Sequence, residues 1–515
     1  MLIRNMIEES SRKYADIKAV KWLQKKEILD INYAELLNDV IAVRKGLLSE
    51  EFAGKHIAII GASSVEWIES YLAIITGKTV AVPLDAALPE EELIELINRS
   101  DAEALFLSPK NKSMINAVLS DCEKIKNVWM LQNDDFECDD ERVKTFADIK
   151  KTGEKSDTDS ECPDKDDIAT IIFTSGTTGK SKGVMLSQEN LATNVEFVEF
   201  YDEPGTTMLS VLPIHHAFCL VMDWLKGFSL GATLCINDSL LHMVRNMAIF
   251  KPEVILMVPM MVETIYKRIA AADQSIPKKV LAENVFGGRL RIIFTGGAHL
   301  DPFYIEKMAE FGVDVLEGYG MSECSPVISM SRPEDNKPGS IGRPIKNAEI
   351  AFENGEILVK GSSVMKGYYK MPEETAETLK DGWLHTGDKG YIDEDGFLFI
   401  NGRVKNLIIM SNGENVSPEE IENKLALNDL IGEVIVTGEN NGLTARVYPE
   451  QALVEAKKLD EESIRSEIQA FLDTYNKTQP TYRQITGLII RKNPFIRSST
   501  KKIKRQDALI DEPMA

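Results

Sequence analysis

Ile168-Ala169-Thr170-Ile171-Ile172-Phe173 runs directly into Thr174-Ser175-Gly176-Thr177-Thr178-Gly179-Lys180-Ser181-Lys182-Gly183. The first six residues are a short, mainly apolar run and read as a buried strand. The next ten hold three glycines, two lysines and a series of hydroxyls. A strand that ends in such a loop offers backbone N–H groups, hydroxyl donors and positive charge to a polyphosphate. A plain Gly/Ser surface turn has no need of two lysines behind a buried strand. The loop is not a Walker A loop, because the second glycine of G-x-x-x-x-G-K-[ST], counted from Gly176, falls on Ser181. No G-x-G-x-x-G opens a helix here either, which disfavours a dinucleotide fold.

The strand–turn–helix rhythm extends to both sides of this loop. His56-Ile57-Ala58-Ile59-Ile60-Gly61 and Thr79-Val80-Ala81-Val82-Pro83-Leu84 read as strands. Pro89 reads as the first residue of a helix whose Leu93, Leu96 and Ile97 share one face. Val254-Ile255-Leu256-Met257-Val258 reads as a strand, and Val262, Ile265, Tyr266 and Ile269 then form a helical stripe expected in the core. Strands alternating with helices imply an α/β layer fold with a mostly parallel sheet. Residues 151–167 are polar and acidic and read as an exposed linker within the large domain.

The pattern changes near 403–406. Before it, Gly390-Tyr391-Ile392 and Phe397-Leu398-Phe399-Ile400 form a hairpin signal around Asp393-Glu394-Asp395-Gly396. After it, Ser417-Pro418-Glu419-Glu420 reads as a capping box with proline at the first helical position. Ile464, Ile468, Phe471, Leu472 and Tyr475 mark an amphipathic helix. A large domain over residues 1–403 and a small α+β domain over 404–515 are expected.

Composition bounds the function. With 515 residues, 43% hydrophobic and 27% charged, the chain reads as a soluble globular protein of several domain-sized units. No apolar stretch is long enough to span a membrane, and the first residues lack a signal peptide's apolar core. The six cysteines form no C-x-x-C pair and no metal-ligand spacing, so they read as reduced thiols of a cytoplasmic protein. A net charge of −22 argues against nucleic acid as a partner. Any anionic substrate must therefore meet local positive charge, for which Lys180, Lys182, Arg403 and the run Lys501-Lys502-Ile503-Lys504-Arg505 are candidates.

The order T-S-G-T-T-G-K-x-K-G resembles the phosphate loop of the adenylate-forming superfamily of acyl-CoA synthetases, peptide-synthetase adenylation domains and luciferases. Seven further segments resemble that superfamily's motifs in order. Leu212-Pro213-Ile214-His215-His216-Ala217-Phe218 is similar to L-P-x-x-H, which implies that His216 borders the carboxylate site. Thr295-Gly296-Gly297-Ala298 resembles the turn beside adenine, where glycine lets a flat ring approach the backbone. Glu317-Gly318-Tyr319-Gly320-Met321-Ser322-Glu323 resembles Y-G-x-T-E. The resemblance implies that Tyr319 stacks on adenine, Ser322 bonds the α-phosphate and Glu323 helps hold Mg²⁺.

Trp383-Leu384-His385-Thr386-Gly387-Asp388 resembles W-x-x-T-G-D, with Asp388 accepting from the ribose hydroxyls. Gly402-Arg403-Val404-Lys405-Asn406 is similar to G-R-x-[DK], with Arg403 on the ribose and phosphate side and Lys405 as the hinge between domains. Met410 to Val416 resembles the glycine turn of the thiol tunnel, placing Gly413 there. Ser499-Thr500-Lys501-Lys502-Ile503-Lys504-Arg505 aligns with T-G-K-I-x-R. Lys502 takes the place of the catalytic lysine; Lys501 replaces the usual glycine and is a rival for the role.

The resemblance implies a large N-terminal domain of layered sheets and helices with a small barrel-like part, and a mobile C-terminal domain. The implied ATP site comprises Thr174, Ser175, Gly176, Thr177, Thr178, Gly179, Lys182, Gly297, Ala298, Glu317, Gly318, Tyr319, Gly320, Met321, Ser322, Asp388, Arg403 and Lys502. His216, Ser322, Glu323 and Lys502 carry the catalytic roles, and Glu323 is the metal ligand. The implied reaction is ATP-dependent conversion of a carboxylic acid to acyl-AMP and pyrophosphate, then acyl transfer to a thiol. Val258-Pro259-Met260-Met261-Val262-Glu263-Thr264-Ile265-Tyr266 resembles long-chain acyl-CoA synthetases, which points to a fatty acid. The run from Gly339 to Tyr369 leaves no room for the extra segment of fatty acyl-AMP ligases, so the resemblance implies coenzyme A as acceptor. The alternatives are an enzyme that loads a carrier protein's phosphopantetheine and a nucleotide-binding protein that has lost catalysis.

Overall fold

The computed structural model describes residues 2–132, 136, 138–174, 181–199, 203–272, 275–410, 414–439, 442–497, 503 and 505. The chain forms two compact units: residues 1–298, 302–350 and 359–384 make the first, and 299–301, 351–358 and 385–515 the second.

The first unit is built on two mostly parallel sheets. One has eight strands, in the order Gly367–Tyr368, Lys182–Ser187, Ile168–Thr174, Val80–Leu84, His56–Ile60, Ala102–Leu107, Asn127–Met130 and Val143–Thr145. From Ile168–Thr174 to Val143–Thr145 every pairing is parallel. Val80–Leu84 is buried at every position and His56–Ile60 at all but the first, which is why these strands read as continuous apolar runs instead of alternating ones. Helix Val65–Thr76 is buried at all but Glu66, and the Ser64 hydroxyl caps it by accepting from the Trp67 N–H.

The other sheet has nine strands, with Asp314–Gly320, Ile292–Gly296, Val254–Met257, Thr207–Ser210 and Thr233–Ile236 adjacent in that order and mutually parallel. Their carboxyl ends therefore open on one edge, the usual place for ligands in open α/β sheets. In the helix Pro259–Ala270, Val262, Ile265 and Ile269 are buried, as the stripe predicts.

Three local readings need correction. Pro89 caps the helix Glu90–Arg99 from outside instead of forming its first turn, while Leu93, Leu96 and Ile97 are buried as expected. Residues 151–167 are not simply an exposed linker. Helix Phe146–Glu154 enters the segment, and Asp159 takes the buried Arg44 guanidinium at 2.8 and 2.6 Å and Arg4 at 3.1 Å. A strongly polar sequence can still be anchored when a buried cation waits for it. Ser417 forms no capping box, because its hydroxyl donates to Glu419 at 3.1 Å, although the helix Pro418–Leu425 starts where expected.

The second unit is α+β. Strands Ile431–Glu439, Gly442–Pro449 and Ile485–Ile490 form a sheet, antiparallel then parallel. Helices Pro418–Leu425 and Glu461–Asn476 pack on it through Ile421, Leu425, Ile464, Ile468 and Leu472, against Val434, Val436 and Val447. The hairpin around 393–397 forms between Trp383–Ile392 and Leu398–Arg403, and Asp393 holds its turn by accepting from the Asp395 and Phe397 N–H groups.

Candidate functional site

Residues of the first unit converge where several strands end. Thr174 closes its strand directly opposite Lys182, and its hydroxyl donates to the Lys182 carbonyl at 3.5 Å. The two ends of the glycine-rich loop are thus clasped. Arg99 donates to the Ser181 carbonyl, lies over the Phe173 ring and pairs with Glu95 at 3.0 Å, adding a second hold on the same end. Ser175, Gly176, Thr177, Thr178, Gly179 and Lys180 lie outside the described residues.

The Lys182 ammonium sits 4.6 Å from the centre of the Tyr368 ring, a cation–π contact. The Tyr368 hydroxyl donates to Glu323 at 2.8 Å, and the Met365 N–H donates to the Glu323 carbonyl at 2.8 Å. Burial, together with the Glu323 charge, raises the Tyr368 pKa, so the phenol stays a donor. Tyr368 comes from the short strand that pairs with Val184. It had no place in the sequence-derived site. Its only signal was a Gly-Tyr-Tyr run, which gives no hint of a partner 45 residues away.

Glu317, Gly318, Tyr319 and Gly320 end the strand Asp314–Gly320, with Glu317 and Tyr319 buried. Met321 follows, and Ser322 and Glu323 form the short turn Ser322–Cys324. On the neighbouring strand Gly296 faces Gly318, and a Cβ at Gly296 would lie 2.8 Å from the Gly318 carbonyl oxygen. Two glycines in register let the strands close here. Gly297 has φ +83 with nothing near its missing Cβ, and Ala298 is exposed beside it. The Thr295 hydroxyl, at the end of the same strand, is buried without a hydrogen-bond partner among the described residues. An open glycine turn beside an orphaned buried hydroxyl fits a polar planar ligand.

His215 and His216 follow the strand Thr207–Ser210, with ring centres 4.2 Å apart. His215 Nε2 is buried without a hydrogen-bond partner among the described residues, 3.7 Å from Asp85. Burial, helped by His216, lowers the His215 pKa, so its ring is neutral near pH 7. His216 opens the π-helical stretch Phe218–Leu225 through the Leu220 N–H, which donates to its carbonyl. Phe218 of that stretch reaches to within 3.9 Å of where a Gly296 Cβ would stand, linking the histidine segment to the glycine turn.

In the second unit Asp388 and Arg403 are paired across adjacent strands, and Arg403 Nε donates to Asp388 at 3.0 Å. Asp388 is buried and its N–H is held by the Thr386 hydroxyl at 3.1 Å. Glu356 fixes the preceding turn through the Gly387 N–H at 2.9 Å and His385 at 3.1 Å. Lys405 is exposed in the single turn Val404–Asn406. Gly413, Lys501 and Lys502 lie outside the described residues.

No cluster of three or more His, Cys, Asp or Glu among the described residues could hold a metal by itself. Glu323 is a single carboxylate, which suits Mg²⁺ shared with phosphate oxygens. No described helix is long and apolar enough to cross a membrane.

Residues 7–369 match the AMP-binding enzyme family, and residues 405–511 match the AMP-binding enzyme C-terminal domain. The chain is 28% identical over 460 residues to the long-chain-fatty-acid–CoA ligase FadD15 of Mycobacterium bovis, covering 80% of this chain and 75% of that one. It is 30% identical over 483 residues to the long-chain-fatty-acid–CoA ligase 5 of Rattus norvegicus, covering 82% and 69%. Its fold superposes on an anthranilate CoA ligase, AuaEII, in complex with anthranoyl-AMP, with a TM-score of 0.83 at 18% identity over 98% and 96% of the two chains. ATP-bound MatB from Rhodopseudomonas palustris gives 0.78 at 25% identity over 98% of each.

Proposed function

The chain belongs to the AMP-binding enzyme family, and from that premise we propose that it activates a fatty acid with ATP and transfers the acyl group to coenzyme A. A carboxylate alone acylates poorly because oxide would have to leave. In the first step a carboxylate oxygen attacks the α-phosphorus, and the bond to the β-phosphate oxygen breaks to release pyrophosphate. In the second the thiol sulfur attacks the acyl carbon, AMP leaves and the thiol proton passes to solvent.

The observation that carries this reading is the chain Lys182–Tyr368–Glu323, which starts at the residue where the strand Lys182–Ser187 begins. It sets a cation and a carboxylate on one tyrosine, as a polyanion with a divalent ion requires. Phosphoryl transfer depends mainly on positioning and on fixed charge near the phosphate oxygens. Lys182, the 174–179 loop, Ser322 and Lys502 would supply those contacts. Glu323 would hold Mg²⁺, whose charge offsets that of the phosphates. Tyr319 would stack on adenine beside Gly297 and Ala298, and Asp388, steadied by Arg403, would accept from the ribose. His216 would border the carboxylate, Gly413 the thiol path, and Lys405 would be the hinge between domains 1–403 and 404–515. The fatty-acid class rests on the names of the relatives and on the Val258–Tyr266 run. The free cysteines suit a reducing cytoplasm.

The test is acid-dependent ATP–pyrophosphate exchange with fatty, aryl and amino acids, followed by thioester formation on coenzyme A or on a carrier protein. Fatty acids should support exchange, AMP should be the nucleotide product, and free coenzyme A should be acylated. ADP and orthophosphate as products would overturn the reading. Lys502→Ala should slow exchange by roughly 10²–10³ while leaving thiolysis of supplied acyl-adenylate nearly unchanged. Lys501→Ala in parallel decides between the neighbouring lysines.

A further inference from the structure

Helix Pro418–Leu425 in the second unit carries two carboxylates three residues apart, Glu419 and Glu422, which such spacing sets on one face. Glu422, its side chain 12% exposed, accepts the Val436 N–H at 2.6 Å with one oxygen and the Arg505 guanidinium with the other. Glu419 Oε1 lies 3.5 Å from the same guanidinium and accepts the Asn406 amide at 2.6 Å. Asn406 ends the Val404–Asn406 turn that bears Lys405. One carboxylate oxygen therefore faces both the candidate hinge turn and the C-terminal segment.

That segment is fastened at two more points. Ile503 forms a β-bridge with Arg497 and packs on Ile435 and Phe495. Arg497 donates to Glu433 at 3.1 and 2.6 Å, and the Phe495 N–H donates to the other oxygen of Glu433 at 2.7 Å. Lys502 stands one residue before Ile503 and three before Arg505. Lys502 is thus joined through the chain to two held residues, Ile503 and Arg505. Largely buried ion pairs seldom add net stability, since desolvation offsets the attraction, and their best-attested use is to fix register.

We propose that Glu419 and Glu422 are positioning residues that act on Lys502 through Arg505, and that Glu419, by also gripping Asn406, ties the lysine segment to the hinge turn. The inference rests on the roles proposed above for Lys502 and Lys405. Setting the lysine is needed for adenylation and not for thiolysis, so the two half-reactions should separate.

The experiment uses the full chain and the fatty acid that gives the fastest exchange. Arg505→Ala, Arg505→Lys, Glu422→Gln, Lys502→Ala and the double variant Lys502→Ala/Arg505→Ala are compared in both half-reactions, with thermal midpoints recorded. Arg505→Ala should lower the kcat of exchange at least tenfold with the KM for ATP within twofold and thiolysis within twofold. Arg505→Lys should recover part of the loss. The double variant should be no slower than Lys502→Ala alone, because Arg505 works through the lysine. Glu422→Gln should follow Arg505→Ala in kind, and it keeps the question open to test if Arg505→Ala does not fold. Retained exchange in a folded Arg505→Ala or Glu422→Gln, equal losses in both half-reactions, or multiplicative losses in the double variant would overturn the positioning role. Lys502→Ala with full exchange would instead remove the assignment of the lysine, and the clasp with it.

Discussion

Tyr368 is the residue on which Lys182 and Glu323 meet. Its ring lies under Lys182, its hydroxyl holds Glu323, and its N–H is held by the Thr375 hydroxyl at 2.9 Å. Tyr368→Phe keeps the ring, and with it the cation–π contact, but removes the donor to Glu323. A hydrogen bond to a charged group contributes about 1.5–3 kcal/mol. The variant should therefore lose up to about that much stability in urea unfolding and, with Glu323 no longer held, slow exchange severalfold or more; paired exchange and unfolding measurements would show both. Glu323, Ser322 and Tyr319 could be singled out as candidates because their motif is contiguous. Tyr368 was not, because its role arises from a strand pairing with Val184 that no local pattern encodes.

Elements end where their chemistry requires an end. Strand Asp314–Gly320 shifts register between Tyr319 and Gly320 and passes into the Ser322–Cys324 turn. A Cβ on Gly320 would stand 2.0 Å from the Pro326 carbonyl oxygen, so the backbone could not close there with any other residue. Gly320→Ala should displace the turn carrying Ser322 and Glu323. We expect a fall in stability of roughly 1–3 kcal/mol in urea unfolding, together with loss of exchange; an alanine variant as stable and active as the parent would contradict this. Strands and amphipathic helices were legible from their periods, 168–174 and 461–476 among them. Their ends were less so. Pro89 sits one position earlier than expected, and Ser417 bonds a neighbouring carboxylate in place of the backbone, because competing side-chain partners decide a cap.

At the scale of the whole molecule, burial sets charges that the sequence leaves open. Asp223, fully buried in the stretch after the histidines, accepts from the Ser210 hydroxyl at 2.9 Å, while its other oxygen has no hydrogen-bond partner among the described residues. Burial pushes its pKa up to about 7 from 3.8. The folded chain then holds a proton that the unfolded chain releases, so this contribution to stability is complete below about pH 4 and is lost as pH rises through 7. Asp223→Asn removes that slope. Between pH 5 and pH 8 its stability relative to the parent should improve by roughly 2–3 kcal/mol in urea unfolding; parallel pH curves for the two proteins would refute it. The sequence by itself determined the order of strands and helices, the glycine-rich loop and the succession of motifs, because period, turn chemistry and contiguous spacing are local properties. Only the tertiary structure decided that Tyr368 joins Lys182 to Glu323, that Asp159 meets a buried Arg44, that Asp223 is starved of solvent and that Glu419 faces both Asn406 and Arg505. Those facts come from contacts between distant segments and from the exclusion of water, and neither is written in any short stretch of chain.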